Sequence, residues 1–343
     1  MTSPVLRVIS PGALTTLQDL GRRGWLRFGV PAAGAMDPVG LAVANGLVGN
    51  PPDTAALELT LAGASFAVEN GSVRIAVAGG DFPLTLDGEA VEGARSHWLE
   101  PGRTLGLGGA RAGARGYLAV AGGFRVEPVL GSMATHVRSG IGGWQGRPLK
   151  AGDELPLAAS AEPGAERALP AGFARPGHPR VRVVLGPQDD HFTPAALETF
   201  LSAAYTVTNQ ADRMGYRLTG PKLEHAHGPD IVSDAIAPGS VQVPGTGEPI
   251  VLLVDRQTTG GYPKIATVIG ADLPALGQRR PGEHLRFEAV TVEAAQAARR
   301  DLRAWLEKLP SLLVPVGREL DSEHLLAVNL ISGVTDGRDT NHP

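Results

Sequence analysis

The chain contains no cysteine. Disulfides, thiol nucleophiles and thiolate zinc sites are therefore excluded. A cytoplasmic setting is expected, although the same absence also suits the periplasm. Lysine is scarce as well: among 31 basic residues only Lys150, Lys222, Lys264 and Lys308 are lysines. The formal charge is −4 and no basic stripe is visible, so there is no footprint for nucleic acid. No apolar run approaches the roughly 20 residues that span a bilayer. The opening MTSPVLRVISPG lacks the basic and apolar regions of a secretory signal. GxxxxGK(S/T), GxGxxG, HExxH and GxSxG are also missing, which argues against a P-loop nucleotide site and α/β-hydrolase chemistry.

Glycine and proline, by contrast, are abundant at 46 and 28 of 343 residues. Spread among many short apolar runs, they indicate frequent tight turns and a mainly β protein with few helices. At 43% hydrophobic and 19% charged, the chain can bury a substantial core and is expected to form two domains. Strands are predicted at 6–9, 57–61, 65–68, 74–77, 84–86, 104–107 and 116–120. A second set falls at 181–185, 205–208, 240–243, 250–254, 265–269 and 284–288. Between the two sets, the Ala/Pro/Gly-rich stretch 158–179 reads as a linker. The expected division is thus 1–157, linker 158–179, 180–330, and a disordered tail at 331–343. Asp37-Pro38 opens one helix that Gly49 closes, and Thr193-Pro194 opens a second. Apolar spacing predicts a third over about 293–308.

Chemistry concentrates between the apolar runs 250–254 and 265–269. The crossing 255–264 carries Asp255, Arg256, Gln257, Thr258, Thr259, Tyr262 and Lys264 around Gly260-Gly261. A simple reversal needs two to five turn residues, so this polar density points to a binding or catalytic surface. Lys264 either binds a carboxylate or carbonyl oxygen and moves protons, or is a surface lysine at a strand end. Asp255 is expected to orient its neighbour Arg256 rather than act as a base. A second polar cluster, 209–217, follows a strand. It reads as a loop on which Arg213 and Arg217 grip an anion, or as a solvated turn with Arg–Asp pairs. His225 and His227 would share one side of a strand, as ligation requires. A solvated loop between Pro221 and Pro229 is the preferred reading, and no metal is expected. The blocks 18–37 and 78–81 are glycine-punctuated and read equally as tight turns or as a site.

Taken together, these blocks resemble one family. TLQDLGRRG at 16–24, GVPAAGAMD at 29–37, ALEL at 56–59 and AGGD at 78–81 match its N-terminal half. NQADRMGYRL at 209–218 and GSVQVPGTGEPIVLLVDRQTTGGYPKIATV at 239–268 match its C-terminal half. The family is that of KipA-like proteins, also called allophanate hydrolase subunit 2 or biotin-dependent carboxyltransferases. It includes the C subunit of bacterial ATP-dependent 5-oxoprolinase, and the likeness covers roughly residues 5–290. It implies β-barrel lobes of the cyclophilin-like type with peripheral helices.

The resemblance also implies a KipI-like partner chain and, for 5-oxoprolinase, a LamB/YcsF-like subunit. The reaction is then ATP-driven opening of 5-oxoproline to glutamate, with ATP used by the complex and no cofactor on this chain alone. Biotin enters only under an alternative, carboxyl transfer to a urea-type substrate. A further alternative is a regulator that neutralises a KipI-like kinase inhibitor. The site is expected to use Lys264, Gln257, Arg256 and Asn209 as catalytic donors. Arg213, Arg217, Thr258, Thr259, Tyr262, Gln242 and Asp255 would bind substrate.

Overall fold

The computed structural model describes residues 3–158 and 166–316. The tail expected at 331–343 and the middle of the expected linker lie outside the described residues. No helix among the described residues is long and apolar enough to cross a membrane.

Strands dominate, in agreement with the composition. Two antiparallel sheets form the N-terminal half. One has six strands in the order Glu154–Pro156, Val5–Ser10, Ala64–Glu69, Thr104–Leu107, Leu84–Leu86 and Glu89–Val91. The other has five, in the order Thr15–Gln18, Ala56–Thr60, Ala112–Val120, Val73–Asp81 and Ser96–Leu99. Their facing apolar residues, among them Leu6, Phe66, Leu57, Ile75 and Leu118, make one core. Helix α1 (Pro38–Val48) packs on the five-stranded sheet. Asp37 caps it by accepting from the Gly40 amide at 2.9 Å, and Gly49 ends it in the left-handed region at φ 86°. It is not peripheral: Val39 through Asn45 are buried. A helix that is apolar all round needs cover on more than one side.

The C-terminal half is an eight-stranded sheet. Its order is His284–Leu285, Tyr205–Ala211, Gly215–Thr219, Ile250–Leu252, Ser240–Gln242, Lys264–Val268, Val181–Leu185 and Phe287–Ala289. The first and last strands follow each other in sequence, separated by Arg286 alone. The sheet must therefore curl until its edges nearly meet, giving an almost closed barrel. Phe200 of helix α2 (Pro194–Ser202), Tyr205 and Phe287 cluster in its core, with 4.4 Å between the Phe200 and Phe287 rings.

The short helix α3 (Leu273–Gly277) delivers Gln278 to the N-terminal half. There its amide oxygen accepts from the Ala114 and Arg115 amides, both at 3.0 Å. Its nitrogen donates to Asp37 Oδ2 at 2.6 Å and to the Arg115 carbonyl at 3.0 Å. Gly79 (φ 110°) allows this approach, because a Cβ there would lie 2.5 Å from the Arg115 carbonyl oxygen. The described part of the expected linker also lies against the N-terminal half. Leu169 and Phe173 join its core, and Arg175 reaches both Asp37 oxygens at 2.6 Å. Helix α4 (Val292–Leu312) returns to the same half, burying Leu309 there.

Two predicted elements differ. The run 284–288 is two strands rather than one, because its two ends pair with opposite edges of the barrel. The cluster 209–217 is not a loop. Its ends are strand, and only residues 212–214 turn. The polar side chains misled the pattern because this face of the sheet is open to solvent.

Candidate functional site

The hairpin 205–219 and the crossing 255–264 together build a cleft of about 570 Å³. Gly215–Thr219 pairs with Ile250–Leu252, which sets Arg217 opposite Ile250. Ser240–Gln242 lies between Ile250–Leu252 and Lys264–Val268, so the two apolar runs share a neighbour rather than pairing directly. Along this wall the cleft collects Asn209, Arg217, Gln242, Gln257 and Tyr262, five of the residues expected from sequence. Gln242 is buried at the floor, where its Nε2 donates to the Tyr262 carbonyl at 3.3 Å. Its Oε1 accepts from Gln257 Nε2 at 3.5 Å. Gly260 leaves room beside it: a Cβ there would fall 2.7 Å from Gln242 Nε2 and 2.8 Å from Ile236 Cδ1, so these side-chain ends would have to move. A second cleft of about 480 Å³ adjoins along Asn209, Gln210, Arg217 and Ile250. A third cavity, about 310 Å³ beside α1, is lined mainly by apolar and glycine residues, and its Arg175 is already paired with Asp37. It lacks the convergent polar groups of the first.

The remaining expected residues sit elsewhere. Arg213 turns inward from the hairpin tip, where Asp212 Oδ1 accepts from the Met214 and Gly215 amides at 2.7 and 3.1 Å. Its guanidinium is buried. It holds Asp255 through two bonds of 2.9 and 3.0 Å, Glu58 at 2.5 Å, and the Gly34 carbonyl at 2.8 Å. Every arm of the fork meets a protein group, so Arg213 ties the two halves together instead of gripping a ligand. The ladder beyond Leu252 explains the pairing: Leu253 and Asp255 amides donate to the Met214 and Arg213 carbonyls, both at 2.9 Å. Asp255 therefore orients Arg213, not its chain neighbour Arg256.

Burial alone would raise the Glu58 pKa. Arg213 and Arg115, with hydrogen bonds from the Met36 amide and the Tyr117 hydroxyl, hold it below the usual carboxylate value instead. Arg213 is raised, since Glu58 and Asp255 outweigh the penalty of its burial. Arg256 is buried against the Ile236 and Leu253 carbonyls at 3.0 and 3.3 Å, and burial lowers its pKa to about 10. It does not line the cleft.

Lys264 is neither a surface lysine nor a cleft-lining group. Its side chain is 2% exposed and donates to Asp234 Oδ2 at 2.9 Å. That bond, first among several, lowers the Asp234 pKa. Asp234–Ala235 pairs with Thr259–Gly260 as a small ribbon, so Lys264 anchors the crossing from beneath. Thr259 belongs to this ribbon, and the Thr258 carbonyl accepts from the Ile236 amide at 3.0 Å; neither residue lines the cleft. His225 Nε2 donates to the Val243 carbonyl at 2.9 Å, and its ring centre lies 5.0 Å from that of Phe192, so the imidazole is held by the protein itself.

Sequence reasoning missed Glu58, Asp234, Arg138 and His136. Glu58 had a signal, a carboxylate inside the apolar run ALEL, which requires a buried partner. Arg138 had none, for it reaches the cleft from the N-terminal half on a three-residue 3-10 turn, Val137–Ser139. His136 is buried beside Asp255, Arg22 and Arg213. Burial lowers its pKa, more than Asp255 raises it.

A β-rich chain with a nearly closed barrel and an amide-lined cleft belongs to a definable class. Residues 28–289 match the family model described as "Carboxyltransferase domain, subdomain A and B", and the chain belongs to that family. It is 39% identical over 305 residues to the C subunit of 5-oxoprolinase from Escherichia coli (strain K12), covering 89% of this chain and 97% of that protein. It is 37% identical to the protein of the same name from Haemophilus influenzae, with the same coverage of each. Urea amidolyase of Saccharomyces cerevisiae is 32% identical, but this chain spans only 18% of its length. The crystal structure of K. lactis urea amidolyase superposes with a TM-score of 0.83 at 29% identity, covering 90% of this chain and 20% of that one.

Proposed function

We propose that this chain is the C-type subunit of an ATP-dependent 5-oxoprolinase, opening 5-oxo-L-proline to L-glutamate. It acts with a KipI-like and a LamB/YcsF-like subunit in the cytoplasm, and ATP is used by the assembly rather than by a site on this chain. The observation that carries the reading is the convergence of Asn209, Gln242 and Gln257 amides with the Arg217 guanidinium in one cleft. Side-chain amides donate to a lactam carbonyl and accept from its N–H. When the carbonyl is attacked or phosphorylated, negative charge develops on its oxygen. Each donor held against that oxygen in a sheltered site is worth about 3 kcal/mol. Lys264 acts as a positioning residue, through Asp234 and the ribbon that supports Gln257 and Tyr262. The near-complete coverage of two relatives named as the C subunit of 5-oxoprolinase supports the same reading.

A second reading, carboxyl transfer between carboxybiotin and a urea-type substrate, is favoured by the similarity to urea amidolyase in sequence and structure. The deciding assay measures ATP-dependent 5-oxoproline hydrolysis with and without the two partner subunits. Turnover is expected only from the full assembly. Full turnover by the isolated chain contradicts the subunit role. A silent assembly that carboxylates urea when given a biotin carboxylase selects the second reading.

A further inference from the structure

We propose that Arg138 determines specificity, anchoring the carboxylate of an acidic amide substrate across the cleft from Arg217. The inference rests on the reading that the cleft holds the amide substrate, and it names the substrate class. Arg138 stands exposed on the turn Val137–Ser139, which Gly140 closes at φ 63°. It lines the cleft but forms no ion pair among the described residues; its Nη1 meets only the Met214 thioether sulfur at 3.0 Å. A thioether is a weak acceptor, so the guanidinium fork remains unmatched. Arg217 is likewise exposed and without an ion pair among the described residues.

Most of the remaining polar lining is the neutral amides Asn209, Gln210, Gln242 and Gln257. The carboxylate of Asp212 is taken up by the Met214 and Gly215 amides. The cleft thus joins neutral groups that read an amide to two uncommitted guanidiniums, one from each half of the molecule. A guanidinium fork matches a carboxylate in shape and charge. Neutral urea would use only the amide groups, whereas a small amide bearing a carboxylate uses both.

Isothermal titration of the full chain, and of its assembly with the partner subunits, with 5-oxo-L-proline and with its uncharged carboxamide tests this. The wild type is expected to bind the acid at least about tenfold more tightly than the carboxamide. Arg138→Gln should bring that ratio to within about threefold by weakening the acid alone, and Arg138→Lys should keep part of it. An unchanged ratio in Arg138→Gln overturns the proposal, as does a wild type without preference for the acid or without detectable binding of it. If the preference depends on Arg138 while the ATP-dependent assay is silent, the 5-oxoprolinase reading fails and the anchor stands. If turnover occurs and the ratio does not respond, the anchor fails and the activity stands.

Discussion

Replacing Arg213 with Met is the sharpest test of how the two halves are joined. The substitution keeps the length of the stem but deletes the group that Glu58 and Asp255 share. Glu58 is 1% exposed, so the substitution leaves a buried carboxylate with only Arg115, the Met36 amide and the Tyr117 hydroxyl to compensate it. Breaking a buried pair by removing one partner typically costs about 3–5 kcal/mol. Asp255 loses its bidentate partner at the same time, so the upper end of that range is expected. Against a typical total of roughly 5–15 kcal/mol, this is a large share.

The pH dependence should also weaken. In the wild type Glu58 has a depressed pKa, so its stabilisation is present above its unfolded value of about 4.3 and fades as pH falls through the folded value. In Arg213→Met burial is opposed only by Arg115, the Met36 amide and the Tyr117 hydroxyl, so the depression of the Glu58 pKa shrinks. The variant should then lose less stability than the wild type as pH falls through the acid range. Urea denaturation at several pH values, with Glu58→Gln and the double variant closing a cycle, gives the coupling directly. A loss below about 1 kcal/mol at pH 7, or a slope unchanged from wild type, would refute the argument that this ion network is sealed from solvent.

Other expectations follow from the same geometry. Lys264→Ala should lower turnover of the assembled complex by at least about tenfold with partner binding intact, and Asp234→Asn should reproduce much of that loss; unaltered turnover in both variants removes the positioning role. Gly260→Ala should cost about 1–3 kcal/mol and weaken ligand binding, since the new methyl must displace Gln242 or Ile236; a thermal melt coincident with wild type contradicts it. His136 has a lowered pKa, so the unfolded chain binds the extra proton first; its contribution is complete above about pH 6.5 and declines below that. His136→Gln should flatten the stability profile between about pH 5 and 6.5, measured by chemical denaturation.

Much of the local structure was legible from residue type. Asp37-Pro38 with Gly49, and Thr193-Pro194, mark helices because caps and proline act within one turn of chain. Short β-branched runs mark strands because their side chains suit a half-buried pleat. The crossing 255–264 was marked as chemical ground by polar density alone, and Asn209, Gln242, Gln257, Arg217 and Tyr262 do meet at one cleft. Spacing could not say which way each side chain points. Whether Arg213 faces ligand or core depends on Glu58, 155 residues away, and on the ladder that aligns Asp255 with the hairpin tip. Lys264 was open between surface and site, and only the ribbon at Asp234 places its ammonium beneath the crossing. Arg138 reaches the cleft from the other half of the molecule, so no local pattern could announce it. Long-range pairing of buried charges is set by topology, because a charge is satisfied by whatever the fold brings within about 3 Å and not by its neighbours in sequence.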